Sequence, residues 1–469
     1  MHVNGSNNFT PQTKDIVKFI VMSAIGLFLF MALLRDGDVR NIPLGLAINW
    51  LGLNLNAIEI GGFGFLFMLA AIVITASFLG SVLAYIAKPA FIMESEKLKG
   101  LFHCGVVYFV SKAIGFVLVW MVFFEIGPDW IIGWDGAFLM MDLIAGGSSG
   151  SNLMSIFIIL GMAIPLLTDF GLMEFLGMLI RKVIRKLFTL PGRSSIDLLG
   201  SWFSSSAASV IITRDQHEKG YYTGREAAAI CVNFTLVSLP FTFVVASTIG
   251  LVPYFLRFYL IICITTLLLA VIMPRIWPLS RIKDEYLPNV GKQLDEEVPP
   301  NTSTFRLAVK QASHRASQTG PGDVVKSGLS NWLNIFMDLI PVILAWGTIA
   351  LILNATTPIF RWISWPFGMY MQLLQVPEAM TYASATVVGF IDMFIPAMIL
   401  GGSETVPLVT AFIIGALSIV QIIYMAETGI LILKSKIPLH IGHLAILFAM
   451  RTVFALPVIV LLTRLMLPA

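Results

Sequence analysis

Apolar runs of bilayer-crossing length alternate along this chain with short polar corners, and two of the apolar stretches are broken in their middles. A spanning helix needs about 20 apolar residues. The pattern predicts spans over Ile16 to Leu34, Gly61 to Ile86 and Gly105 to Phe124, then Leu153 to Phe170, Pro253 to Met273, Gly328 to Leu353 and Ile441 to Leu462. Two more runs are interrupted by polar or helix-breaking residues: Glu226 to Ser247 by Asn233, Ser238 and Pro240, and Val406 to Leu433 by Gly415, Ser418 and Gln421. Amphipathic segments at Gly171 to Phe188 and Pro358 to Leu374 read as helices lying at the membrane surface.

The broken stretch Val376 to Glu404, VPEAMTYASATVVGFIDMFIPAMILGGSE, is too apolar for a loop, yet it holds Asp392 and Pro396 and ends near Gly401-Gly402. Irregular backbone survives at membrane depth only where protein packs around it or a cavity meets it. A re-entrant helical hairpin is therefore expected here. RSSIDLLGSWFSSSAASVIITRDQHEKG, with Ser204, Ser205 and Ser206 at its middle, is a second.

Each half of the chain thus reads as spanning helix, interfacial helix, polar-centred hairpin and interrupted span, with opposite orientation in the membrane. The separations from Ser205 to Asn233 and from Asp392 to Gln421 are similar. The expected fold class is all-α, a polytopic membrane protein of about eight spanning helices plus two re-entrant hairpins in an inverted repeat. The expected divisions are an N-terminal three-helix region (1–150), a first repeat with its return helix (151–273), a cytoplasmic linker (274–327) and a second repeat with a C-terminal helix (328–469). Paired interrupted segments in inverted repeats point to a transporter site near the midplane.

Composition agrees: 57% of the 469 residues are hydrophobic and 12% charged, against roughly a quarter charged in soluble chains. Lys88, Lys97 and Lys99 precede the third span and Glu125, Asp129 and Asp135 follow it. The positive-inside rule then places the N-terminus in the cytoplasm, and the expected location is a bacterial inner membrane. The N-terminal residues lack a basic region and cleavage site, so no cleaved signal peptide is expected. A net charge of +3 gives no reason to expect nucleic acid, and Cys104, Cys231 and Cys263 have no CxxC spacing that would suggest zinc or a disulfide framework. GPGDVVKSG imitates a phosphate loop but carries Val325 before Lys326, where close phosphate approach needs Gly. No HExxH is present, and no enzyme activity or cofactor is expected.

With the hairpin SWFSSSAASVIITRDQ, the interrupted NFTLVSLPFT and the hairpin GFIDMFIPAMILGGSET, the chain resembles the bacterial YjiH-type membrane proteins, which carry the nucleoside-recognition or Gate domain. The resemblance implies hairpins whose tips meet partly unwound helices at a central site. Gate domains also occur in concentrative nucleoside transporters, whose Glu-containing first hairpin is replaced here by serines.

Asp392 is the sharpest candidate, since an acid at membrane depth faces a cavity or a partner by default; it could carry a proton or meet a substrate amine. Ser204, Ser205, Ser206, Asn233, Ser238 and Gln421 are candidate substrate ligands with it. Glu427 is the second ion-coupling candidate, although its place toward the cytoplasmic end of its span suits solvation as well. Trp202, Phe203, Phe234 and Phe394 could stack on a base. Lys112 and Arg451 need an acid, which Asp392, Asp338 or Glu427 could supply. The expected function is secondary active transport of a small polar organic solute, nucleoside- or amino-acid-like, by alternating access with H⁺ or Na⁺ coupling. A non-transporting scaffold on the Gate fold is the alternative. Expected partners are the solute, the lipid bilayer and, in a homo-oligomer, a second copy of the chain.

Overall fold

The computed structural model describes residues 9–36, 39–133, 136–146, 152–188, 190–192, 194–203, 206–288, 290, 303–403 and 405–467. Among these the chain is mainly helical, and its strands form two antiparallel ribbons, Leu34–Asp36 with Val39–Asn41 and Glu59–Ile60 with Phe63–Gly64. Six helices among the described residues are long and apolar enough to cross a membrane: Phe65–Ile86, Val106–Phe124, Val252–Arg275, Pro321–Thr356, Leu408–Leu433 and Ile441–Met466. Leu153–Thr168 and Leu172–Leu187, bent by 55°, make a seventh if counted as one span.

Two of the expected spans fall outside that set for physical reasons. Thr13–Met31 starts with Lys14, Asp15 and Lys18, of which Asp15 is buried beneath the Gln12 backbone and Lys18 reaches the Thr319 carbonyl. Glu226 to Ser247 divides into Gly224–Asn233 and Leu239–Thr248, each too short to cross alone. Pro43–Asn56 forms a further helix, outside the spans expected from hydropathy, with Pro43 at its first position, where a missing N–H costs nothing.

The bend after Thr168 comes from Gly171, at φ +93°, where an added Cβ would lie 2.3 Å from the Ala312 carbonyl oxygen. Ala312 belongs to Thr304–Gln318, a helix within the segment expected as a linker. Ala312 and Ala316 close over Phe19, with Phe175 packed beside them, so this helix clamps the first helix to the amphipathic Leu172–Leu187. Leu172–Leu187 buries Leu172, Gly177, Met178 and Ile184 and leaves Lys182, Arg185 and Lys186 exposed, as a surface-lying helix should. Its counterpart Ile359–Leu373 buries Ser364, Gly368 and Met371 and exposes Trp362, Trp365 and Leu373.

The long helix Pro321–Thr356 is not uniform. It widens to a π-helical turn over Ile335–Leu339, which turns Asp338 toward Val106–Phe124. There Lys112, fully buried, donates to Asp338 Oδ1 at 2.7 Å and to the Leu101 carbonyl at 2.7 Å. Of the three acids considered for Lys112, Asp338 is the partner.

Breaking a buried pair strands the remaining charge, which costs roughly 3–5 kcal/mol. Asp338→Asn is expected near the low end, about 3 kcal/mol, because the Asp338 side chain is 34% exposed. Thermal unfolding of the detergent-purified protein reads this, and the double variant Lys112→Met/Asp338→Leu should recover much of the loss. An unchanged midpoint for Asp338→Asn would mean that the pair adds no stability.

Candidate functional site

Among the described residues two spans are interrupted, and local sequence explains the first break. Gly224–Asn233 opens on a capping box in which Glu226 accepts from the Thr223 amide (2.9 Å) and Thr223 Oγ1 from the Glu226 amide (3.2 Å). It cannot run on, because Pro240 lacks an N–H and its ring would clash with the preceding turn. The chain is unwound from Phe234 to Ser238 and restarts as Leu239–Thr248, with Ser238 Oγ accepting from the Phe241 amide at 3.4 Å. The second break follows Leu408–Val420. Ile422, almost wholly buried, sits at φ +63°, a strained conformation for a β-branched residue, and the helix resumes as a π-helical turn over Met425–Gly429.

Unwinding frees backbone groups that membrane depth leaves no water to satisfy. At the first break Thr235 Oγ1 donates to the Cys231 carbonyl (2.6 Å), and Ser201 Oγ donates to the Phe234 carbonyl (2.7 Å). At the second, the Met425 and Ala426 amides donate to the carbonyls of Phe390 (2.8 Å) and Ile391 (2.9 Å). Gln421 Nε2 donates to the Thr386 carbonyl (2.8 Å) and to Thr452 Oγ1 (2.7 Å). Each hairpin's first arm is thereby stitched to the break of its own repeat.

Arg451, fully buried on the last helix, joins the two breaks. Its Nη1 donates to the Val232 carbonyl (2.9 Å) and Asn233 Oδ1 (2.8 Å), while Nε and Nη2 both donate to the Val420 carbonyl (3.0 and 2.7 Å). The acid expected for Arg451 is not its partner. Val232 and Val420 are the carbonyl ends of two half-helices, each equivalent to roughly −0.5 elementary charge, so together they balance one guanidinium.

The hairpins' second arms cross to the opposite repeat. Ser194–Phe203 packs on Ser206–Glu218, and Ser206–Glu218 in turn packs on the resumed half of the second broken helix. Among its described residues the second hairpin is helical only over Ala385–Val388 and Ile395–Gly401, so the expected helical hairpin is largely irregular backbone there. Ile395–Gly401 lies on Leu239–Thr248: Phe394 meets Phe241 edge-on at 5.8 Å, and a Cβ on Gly401 would come within 2.6 Å of the Thr248 carbonyl oxygen.

Where the first hairpin meets the second break, hydroxyls and carboxyls gather. Tyr424 OH donates to Glu427 Oε2 at 2.9 Å and is in short contact with Ser206 Oγ. A phenol has one proton; with it given to Glu427, the Ser206 hydroxyl donates to the Tyr424 oxygen. Asp392 lies within electrostatic reach of Glu427, and one of its oxygens accepts from the Phe394 amide at 2.8 Å, fixing the turn that leads into Ile395–Gly401. Tyr108, on the Val106–Phe124 helix, is within reach of Glu427 and Asp392 as well. No three His, Cys, Asp or Glu side chains among the described residues are arranged to hold a metal ion.

Ser206, Asp392 and Glu427 are thus brought together. Glu427 lies in the π-helical turn beside Asp392 rather than at a solvated helix end. Asn233, fully buried, gives its carbonyl to Arg451 and its amide to the Ala229 carbonyl (2.9 Å); Ser238 caps its half-helix; Gln421 shares the Arg451 layer with its Oε1 unpartnered among the described residues. Ser204 and Ser205 lie outside the described residues. Of the four aromatics, Phe234 packs edge-on against Phe188, Phe394 packs against Phe241, Phe203 is buried, and the buried indole N–H of Trp202 has no partner among the described residues. Tyr424 and Tyr108 were missed: a tyrosine in an apolar run carries no signal of its own until the fold brings an acid beside it.

A family model described as nucleoside recognition, the Gate domain, matches residues 151–252. An uncharacterized protein of Alkalihalophilus pseudofirmus is 42% identical over 459 residues, covering 97% of this chain and 96% of that one. Among solved structures, CNTnw in an inward-facing substrate-bound state is similar at a TM-score of 0.45 with 14% identity over 96% of this chain and 99% of that one. An outward-facing CNTnw structure is similar at 0.38 with 16% identity, over 96% and 98%. Matched in its first repeat by that domain and along nearly its whole length by that relative, the chain belongs to the Gate, or nucleoside-recognition, family of membrane proteins.

Proposed function

We propose that the protein is a secondary active transporter that moves a small polar organic solute, nucleoside- or amino-acid-like, across the bacterial inner membrane by alternating access, coupled to H⁺ or Na⁺, with its N-terminus in the cytoplasm. One observation carries the reading: a serine from the first repeat's hairpin contacts a tyrosine at the second repeat's break, which in turn donates to Glu427, with Asp392 within electrostatic reach of that acid. A contact made of parts from both repeats can open when one repeat rocks against the other, as alternating access requires.

The proposed site comprises Ser206, with Ser204 and Ser205 beside it in sequence, together with Tyr424, Asp392 and Glu427. Asp392 and Glu427 are the groups that take up and release a proton or meet a substrate cation. Asn233, Ser238 and Gln421 shape the breaks around it, and Gln421 Oε1 and the Trp202 indole N–H, which have no partner among the described residues, offer an acceptor and a donor.

Purified protein in proteoliposomes, given a panel of nucleosides, amino acids and dipeptides under a pH or Na⁺ gradient, is expected to show saturable uptake of one solute class. Absence of uptake for every class, in protein shown to be folded, would favour the scaffold. Asp392→Asn is expected to abolish gradient-driven uptake while leaving the amount of protein in the membrane unchanged; wild-type kinetics would remove Asp392 from the mechanism.

The Ser206–Tyr424 contact supplies a third expectation. Because both hydroxyls act in one network, Ser206→Ala added to Tyr424→Phe should reduce uptake little beyond Tyr424→Phe alone. Strictly additive losses in that double-mutant cycle would show the two side chains acting independently.

A further inference from the structure

The site between the two half-helix ends has the makings of a cation site. Where carriers break their helices, freed carbonyls and half-helix C-terminal ends coordinate the coupling cation. Here the carbonyls of Val232 and Val420 and the amide oxygen of Asn233 converge, all on buried residues, and every one of these oxygens is within 3.0 Å of a nitrogen of Arg451. No carboxylate bonds to the guanidinium among the described residues; its charge is met by the helix ends, whose partial charges total roughly −1.

We infer that Arg451 is a resident counter-cation, filling with a covalently held guanidinium the place where a Na⁺-coupled carrier would bind its ion, so that the gate runs without Na⁺. Coupling then falls to Asp392 and Glu427, whose hydrogen bonds run to the Phe394 amide and the Tyr424 hydroxyl rather than to Arg451. The consequence for coupling rests on the transporter reading; the occupancy of the cation place does not, and its test is made on stability rather than uptake.

Thermal unfolding of the detergent-purified full chain separates the alternatives. Wild-type protein is expected to unfold at the same midpoint in NaCl, KCl and choline chloride of equal ionic strength. Arg451→Ala, which leaves the three oxygens facing a void, is expected to unfold earlier and to regain most of the lost midpoint in guanidinium or methylguanidinium chloride at concentrations too low to shift the wild type. Choline chloride should not restore it.

Should Arg451→Ala fail to fold, Arg451→Lys and Arg451→Gln decide, since the first keeps a cation and the second keeps donors without charge. Lys is expected to hold the higher midpoint. A Na⁺-specific rise in the wild-type midpoint, a Gln variant as stable as the wild type, or a folded Ala variant that guanidinium does not rescue would each overturn the inference.

Discussion

Irregular backbone inside a membrane needs a donor for each carbonyl it frees, and in this chain one side chain serves both breaks at once. Arg451 makes three hydrogen bonds to the carbonyls of Val232 and Val420 and a fourth to Asn233. A buried charge without a carboxylate would ordinarily be prohibitive. It is tolerated because two helices end against it, and the negative ends of two helix dipoles stand in for an acid. Remove the guanidinium and both half-helices present unmet carbonyls across a narrow gap, which is why the two repeats cannot be considered separately.

From that bridge the remaining geometry follows. Holding the first halves of both broken helices together leaves their second halves free to take partners from the opposite repeat, Leu239–Thr248 from the second hairpin and Met425–Leu433 from the first. The irregular second hairpin survives because the Met425 and Ala426 amides, orphaned at the start of a half-helix, are the donors that its Phe390 and Ile391 carbonyls need. Each defect supplies the partner for the other. The left-handed Ile422 is consistent with this, since its strain is imposed by surroundings that fix the chain on both sides.

Much of this scaffold was legible from residue order alone. Pro240 after Ser238, Gln421 inside an apolar run and the paired amphipathic segments mark breaks and surface helices through rules that act within a few residues. The all-α membrane class followed from hydropathy. The partner of Arg451 was not legible, because a search for an opposite charge looks only at side chains, and the counter-charge here is backbone carbonyl on helices more than 200 residues apart in one case. Tyr424 and the π-helical turns escaped for a related reason: widening a helix by one residue reorients Asp338 or Glu427 without altering the apolar pattern. The helix at Thr304–Gln318 was hidden by a small apolar stripe of alanines, too weak in hydropathy to stand out from a polar segment yet well suited to close packing over Phe19.

The distribution of charge within the buried layer bears directly on what the site could accept. Lys112 is already neutralised by Asp338, and Arg451 by two helix ends, so neither cation is left to offset Asp392 or Glu427. These two acids are instead met by a backbone amide and a phenol, donors that orient a carboxyl group without cancelling its charge. Desolvated carboxyls in that condition favour an arriving positive charge. Under the transport reading proposed above, a proton or a substrate amine would serve, and the two would compete for the same oxygens. Competition of that kind would couple solute movement in one direction to proton movement in the other, because the proton displaced by an arriving solute leaves on the side from which the solute binds.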